Sequence, residues 1–143
     1  MKYAYIDSCI WITAIEGLPT YQAILDAELQ DLAQAGWTFC VSDLVTLEVL
    51  TKPVKENQHA LLQQYHALFG TLRPLKTYLN VFKDALPISS SESLKGIDVL
   101  HVTLAAHHNC QLFVSSDPHF RHLKMITPHW IDLSGQRLSA GTP

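Results

Sequence analysis

Three apolar runs constrain this chain most, because each is too short to be a helix. Residues 3–6, 37–41 and 111–115 are rich in β-branched and aromatic side chains, and the last is apolar at Leu112, Phe113 and Val114. Runs with so little polar alternation read as parallel strands covered on both faces. Between them lie longer stretches of helical period. Ile24, Leu25, Leu29 and Leu32 form one such stripe, and Leu61, Leu62, Tyr65, Leu68 and Phe69 form another. Strands that alternate with helices predict an α/β fold with a mainly parallel central sheet flanked by helices.

Local signals set the expected boundaries. A helix is expected over residues 8–15, stopping at Gly17-Leu18-Pro19, and a second over 21–35, with Thr20 as N-cap and Gly36 at its end. Ser42 is positioned to cap a helix that reaches about Lys52 and stops at Pro53, with Asp43 at its positive end. Helices are also expected over 57–70, over 77–86 with Pro87 as the stop, and over 96–109. Residues 72–75 and 125–126 read as further short strands, and Ser89-Ser90-Ser91 as a loop. With 143 residues and no internal repeat, one domain is expected over residues 1–134, followed by a flexible tail over 135–143.

The balance of residues narrows the function classes. Hydrophobic residues make up 48% and charged residues only 16%, enough for a large core. A net charge of −3 argues against a broad basic surface for non-specific nucleic-acid binding. Cys9, Cys40 and Cys110 are odd in number and form no CxxC, so neither a disulfide framework nor a zinc ribbon is indicated. Reduced thiols in a cytoplasmic protein are the expectation. Asp7 and Glu16 break the N-terminal apolar stretch, which therefore does not read as a signal peptide. No run of about 18 apolar residues predicts a membrane span.

Against this background, four acids stand out. Asp7, Glu48, Asp98 and Asp117 each interrupt an apolar run. A buried carboxylate is costly unless it is partnered. Asp7 follows the first strand and Asp117 the fourth, on the carboxyl edge where open parallel sheets bind ligands. Glu48 shares a helix face with Leu44 and Val45, and Asp98 shares one with Val102 and Ala105. All four can converge on one crevice. Crowded carboxylates repel, and a divalent cation reverses that penalty. Oxygen donors suit Mg²⁺ or Mn²⁺ better than Zn²⁺, and such ions bind substrate phosphates. Metal-assisted hydrolysis of a phosphodiester is the chemistry this pattern implies.

Each of these residues also has an ordinary structural explanation. Asp7 and Asp98 could serve only as helix-start charges, and Asp117, before Pro118, could simply shape a turn. Glu48 is too deep in its helix to be a cap, but it could pair with Lys52 one turn on. Ser8 and Ser115 could orient a carboxylate or a metal-bound water, or could be a cap and a strand-end donor. Asp43 and Asp132 read as surface acids. The eight histidines offer no helical zinc pair, because His101 and His108 are seven apart. His101 reads as a packed core histidine near Asp98, and Cys9 as a small core residue.

Four segments carry a resemblance. Tyr5-Ile6-Asp7-Ser8-Cys9, Ser42 to Leu50 around Glu48, Lys95-Gly96-Ile97-Asp98-Val99-Leu100-His101, and Phe113 to Phe120 around Asp117 are similar to the four motifs of the PIN-domain nucleases. They resemble in particular the small VapC-type toxins of toxin–antitoxin pairs. The match runs to about residue 130. Cys9 stands where Ser or Asn is commoner, and Val99 replaces the usual Ala; neither change removes a carboxylate.

The resemblance implies a three-layer domain with strand order 3-2-1-4-5. It implies an endoribonuclease dependent on Mg²⁺ or Mn²⁺, with Asp7, Glu48, Asp98 and Asp117 holding metal and water. It also implies a homodimer and a cognate antitoxin that inserts a basic side chain into the acidic pocket. Lys95, Arg121 and Lys124 are the basic groups closest in sequence to the acids, and are candidates to steer RNA. A haloacid-dehalogenase-type phosphatase would need a second Asp at position 9, and a receiver domain would need paired acids after the first strand. Two alternatives stay open: a PIN-like domain that acts only by binding protein, and a non-toxin nuclease of RNA processing.

Overall fold

The computed structural model describes residues 1–133. The expected tail over 135–143 lies outside them. Five strands form the sheet: β1 (Lys2–Ile6), β2 (Trp37–Ser42), β3 (Arg73–Leu75), β4 (Leu112–Ser115) and β5 (Thr127–Trp130). Their order is β3-β2-β1-β4-β5, and every pairing is parallel. The expectation of a mainly parallel sheet in that order is met, with no antiparallel strand among the described residues.

β1 is central because it is apolar on both sides. Ala4, Tyr5 and Ile6 are all fully buried. Successive strand residues point to opposite faces, so helices must cover both. Those helices are α1 (Ser8–Glu16), α2 (Pro19–Gln34), α3 (Asp43–Lys55), α4 (His59–Phe69), α5 (Val81–Glu92) and α6 (Ile97–His107). An aromatic column runs through the core. Tyr5 stacks on Phe113 with centroids 5.0 Å apart, and Phe113 meets Phe120 at 4.7 Å. Each fully buried aromatic of this kind contributes roughly 1.5–3 kcal/mol of transfer free energy.

Several expected boundaries move. α2 starts earlier, with Pro19 as its first residue and Leu18 rather than Thr20 at the cap. The fixed φ of proline suits the first helical turn, where no N–H partner is needed. α3 does not stop at Pro53 but continues through it to Lys55. The ring removes a single N–H in the last turns, and its burial helps to offset that loss. The helix expected over 77–86 is displaced to 81–92, so Pro87 lies inside it and Ser89, Ser90 and Ser91 are helical. Val81, Ala85 and Ile88 give α5 its core-facing stripe, and Leu94 N–H closes its end on the Ser89 carbonyl. Tyr78 is instead held outside the helix, stacked on His107 at 3.7 Å.

The last strand also shifts, from 125–126 to Thr127–Trp130. Pro128 is tolerated because β5 is a sheet edge, as β3 with Pro74 is at the other side. All three cysteines are free. Among the described residues, no helix is long and apolar enough to cross a membrane.

Candidate metal centre

The carboxyl edge of the sheet builds the site. Asp7 extends the β1–β4 ladder by one bond, donating its N–H to the Val114 carbonyl at 2.9 Å. It then caps α1, with Oδ1 accepting from Ser8 N–H at 2.8 Å. That cap leaves half the carboxylate for other work. Oδ2 accepts from Ser115 Oγ at 2.8 Å, and Cys9 Sγ lies 3.6 Å from it. The residue is only 4% exposed. Burial pushes its pKa up, opposed by His101, Ser115 and Ser8. A carboxylate in that condition is short of positive charge.

Glu48 approaches the same point from α3. Its Oε1 accepts from Ser8 Oγ at 2.9 Å and meets His101 Nε2 at 2.6 Å. The His101 hydrogen bond holds Glu48 below the usual carboxylate range, against a smaller effect of burial. Its partners are therefore Ser8 and His101, not Lys52. Ser8 Oγ also lies 3.4 Å from Asp7 Oδ1, so this hydroxyl stands between the two acids.

His101 is the residue that sequence reasoning undervalued. It is as buried as a packed core histidine, at 2% exposure. Yet both ring nitrogens are committed to polar groups. Nδ1 meets Tyr5 Oη at 2.6 Å, and Tyr5 Oη meets Ser42 Oγ at 2.7 Å. Nε2 lies 2.6 Å from Glu48 and 3.8 Å from Asp7 Oδ1. The legible signal was its place one turn after Asp98 on α6. The Tyr5 hydroxyl, fully enclosed, has its pKa raised far above the ordinary value by burial, so it stays protonated.

Asp98 and Asp117 form a second group at the surface. Asp98 lies in the first turn of α6, after Gly96, whose φ of 60° gives the chain its sharp entry. Asp98 Oδ2 is 2.9 Å from His119 Nδ1. Asp117 Oδ1 accepts from His119 N–H at 2.9 Å, capping a 3₁₀ turn over Pro118–Phe120, and lies 3.5 Å from His119 Nδ1. Its turn-forming role is real, and its carboxylate still groups with Asp98 and His119.

The acids thus gather as two triads, Asp7–Glu48–His101 and Asp98–Asp117–His119. Within each, one ligand atom per residue lies within 4.8 Å of the others. Ser115 links them, because the hydroxyl that donates to Asp7 accepts from Asp117 N–H at 3.0 Å. Helix α6 links them again, through Asp98 and His101. His119 went unnoticed in the sequence because an exposed histidine carries no pattern.

The basic candidates separate. Lys95 lines a cleft of about 130 Å³ together with Asp98 and His119. Arg121 instead lies over the Trp130 ring at 4.5 Å. Lys124 donates Nζ to the Ser91 carbonyl at 3.0 Å, and its N–H bonds Glu92. Asp43 is exposed, as expected.

The PIN-domain family model matches residues 4–125, which include all four acids and the whole linked network. The chain belongs to the PIN-domain family. Its fold is similar to that of a chain in the VapBC2 complex of Rickettsia felis bound to a promoter DNA fragment. That match has a TM-score of 0.69 and 16% identity, and covers 91% of this chain and 99% of the other. A Klebsiella pneumoniae toxin–antitoxin complex gives a TM-score of 0.65 and 18% identity, covering 90% and 99%. The DNA-bound VapBC of Salmonella typhimurium gives 0.61 and 13%, covering 90% and 98%. None of the curated proteins is significantly similar. At these identities the structural likeness speaks for the PIN fold alone.

Proposed function

We propose that this PIN domain is a Mg²⁺- or Mn²⁺-dependent endoribonuclease of the toxin type, assigned to residues 1–134 and acting in the cytoplasm. The observation that carries the reading is the buried Asp7 carboxylate, gathered with Glu48 and His101 so that their ligand atoms lie within 4.8 Å of one another. That donor set fits a divalent cation, which would relieve the crowding and satisfy hard oxygen ligands. Asp7, Glu48, Asp98 and Asp117 are the carboxylates that would hold it. When bound, such an ion supplies Lewis-acid activation of water and neutralises charge on the scissile phosphate.

The chain's own residues do the positioning. Ser115 and the Ser8 N–H fix the two oxygens of Asp7, and Ser8 Oγ fixes Glu48. Water attacks phosphorus, one P–O bond breaks, and the leaving oxygen takes a proton. Asp98, Asp117 and His119 line the approach from solvent, beside Lys95, the basic group best placed to attract the RNA backbone. Arg121 and Lys124 are left with at most a steering role.

A protein partner belongs to the same reading. Leu47, Phe82 and Leu86 are 61%, 70% and 72% exposed, and an apolar hollow of about 440 Å³ lies between α5 and α6. Exposed apolar surface of this kind marks a contact site. The resemblance to toxin–antitoxin structures supports a cognate antitoxin and a homodimer as its occupants.

The test is cleavage of defined RNAs by the wild type and by Asp7→Asn, with Mn²⁺ or Mg²⁺ and with chelator. Cleavage that needs the metal and is lost in Asp7→Asn is expected. A folded wild type that neither binds Mg²⁺ or Mn²⁺ nor cuts RNA would sink the proposal, and would leave a PIN domain that acts only through protein contacts.

A further inference from the structure

We infer that His101 is itself a metal ligand, so that the inner site is a mixed nitrogen–oxygen centre and not a carboxylate cage. This rests on the metal-dependent reading above and specifies the coordination of that same site. Its consequence is a shift of metal preference away from Mg²⁺ toward Mn²⁺ and Co²⁺.

Three observations carry it. First, Nε2 is aimed into the gap between two carboxylates, 2.6 Å from Glu48 Oε1 and 3.8 Å from Asp7 Oδ1. Ligands around a six-coordinate ion with bonds of ~2.1 Å sit ~3 Å apart when adjacent and ~4.2 Å apart when opposite. Nε2 to Asp7 is already in that range, Nε2 to Glu48 needs to open by a few tenths of an ångström, and all three donor atoms lie within 4.8 Å of one another.

Second, the far side of the ring is anchored. Nδ1 bonds Tyr5 Oη, which bonds Ser42 Oγ. Metal-binding histidines characteristically spend their other nitrogen on such a partner, which sets tautomer and ring angle. The edges of Tyr5 and Phe120 confine the imidazole further, with centroids at 5.7 and 6.5 Å.

Third, the chain of hydroxyls can run either way. Without metal, Nε2 carries the proton toward Glu48, and Nδ1 accepts from Tyr5. With metal, the Nε2 lone pair must face the ion. The proton then sits on Nδ1 and donates to Tyr5 Oη, and the Tyr5 hydroxyl donates to Ser42 Oγ. A hydroxyl both donates and accepts, so the reversal leaves Nδ1 and Tyr5 Oη paired in each state. A carbonyl or a carboxylate in the place of Tyr5 could serve only one tautomer.

An imidazole donor favours borderline ions, whereas Mg²⁺ prefers oxygen. Pulsed EPR of Mn²⁺ bound to the full chain tests the ligand directly. Nitrogen coupling from a coordinated imidazole is expected in the wild type, retained in His119→Ala and lost in His101→Gln. In parallel, calorimetric titration should show the Co²⁺-over-Mg²⁺ affinity ratio falling at least tenfold in His101→Gln. Tyr5→Phe, whose hydroxyl does not reach the carboxylates, should weaken Mn²⁺ binding about tenfold while leaving the nitrogen coupling in place.

Bound Mn²⁺ without nitrogen coupling in the wild type overturns the inference, whether or not His101→Gln folds. So does coupling lost in His119→Ala or retained in His101→Gln. RNA cleavage persisting in any of these cases would leave the nuclease reading intact. Failure of the folded wild type to bind Mn²⁺ overturns the inference, and failure to bind Mg²⁺ and to cut RNA as well would remove the nuclease reading with it.

Discussion

Asp7 and Asp117 begin from the same local grammar and end in different environments. Both follow a parallel strand, and both cap the helical turn that comes next. Asp7 sits beside the central strand, where β2 and β4 close over it from either side, and it is 4% exposed. Asp117 follows β4, one place nearer the sheet edge, and its side chain is 35% exposed. The inner triad is wired by Ser8, Ser115, Tyr5 and Ser42; the outer triad rests on an exposed imidazole. The lesson is that position in the sheet, and not the motif, sets how rigid a carboxylate is. Rigid groups suit fixed chemistry, and accessible ones suit substrate contact.

The sharpest break between the two regions should appear in catalysis. Asp7→Asn should lower RNA cleavage by on the order of 10³-fold, the scale of losing a preorganised electrostatic group, and Asp117→Asn by about 10²-fold. Single-turnover cleavage with Mn²⁺ measures both, and equal losses would erase the distinction. Stability comes next. His101→Leu leaves Tyr5 Oη and Glu48 without their shared buried partner and should cost about 2–3 kcal/mol in urea unfolding. His119→Leu, at a side chain 69% exposed, should change stability by less than about 0.5 kcal/mol. Similar costs for the two would mean that the buried network contributes little.

The smallest effect carries a sign. Burial raises the folded pKa of Asp7 above its ordinary 3.8. Below that value both states are protonated and the residue carries no penalty. Above it the unfolded chain releases its proton while the folded chain retains it, so this residue's contribution to stability is lost as pH rises through that interval. In chelator, Asp7→Asn should therefore be more stable than the wild type at pH ~7, by about 1 kcal/mol, the size of an ordinary single-site effect. The gain should vanish near pH ~4, at the ordinary carboxylate value. Glu48, held low chiefly by His101, works in the opposite direction and is present in both proteins. Thermal melts across pH, without metal, decide it; a gain that does not grow with pH would mean that Asp7 is not the strained group.

Much of the fold was legible because its signals are local. Continuous apolar runs marked the interior strands, and Ser42 caps α3 where a cap was expected, accepting from Val45 N–H at 3.2 Å. Proline misled in two places for one reason. Pro53 and Pro87 each remove one N–H, and whether that matters depends on neighbours far along the chain. The acids were legible too, as charges in apolar runs. Their division into an inner and an outer group was not, nor was the engagement of His101 and His119.

What the sequence by itself determined is the α/β alternation, the position of Asp7 and Asp117 after their strands, and the four-motif resemblance to PIN domains. These are properties of short windows, set by hydrophobic period and capping chemistry. Tertiary structure alone decided that Tyr5 from β1, Ser42 from β2, Glu48 from α3 and His101 from α6 meet at one point. Those residues are separated by up to 96 positions, and the contacts follow from strand register and helix rotation. A buried histidine looks the same in sequence whether it fills space or serves a site. Only the atoms around its two nitrogens tell the difference.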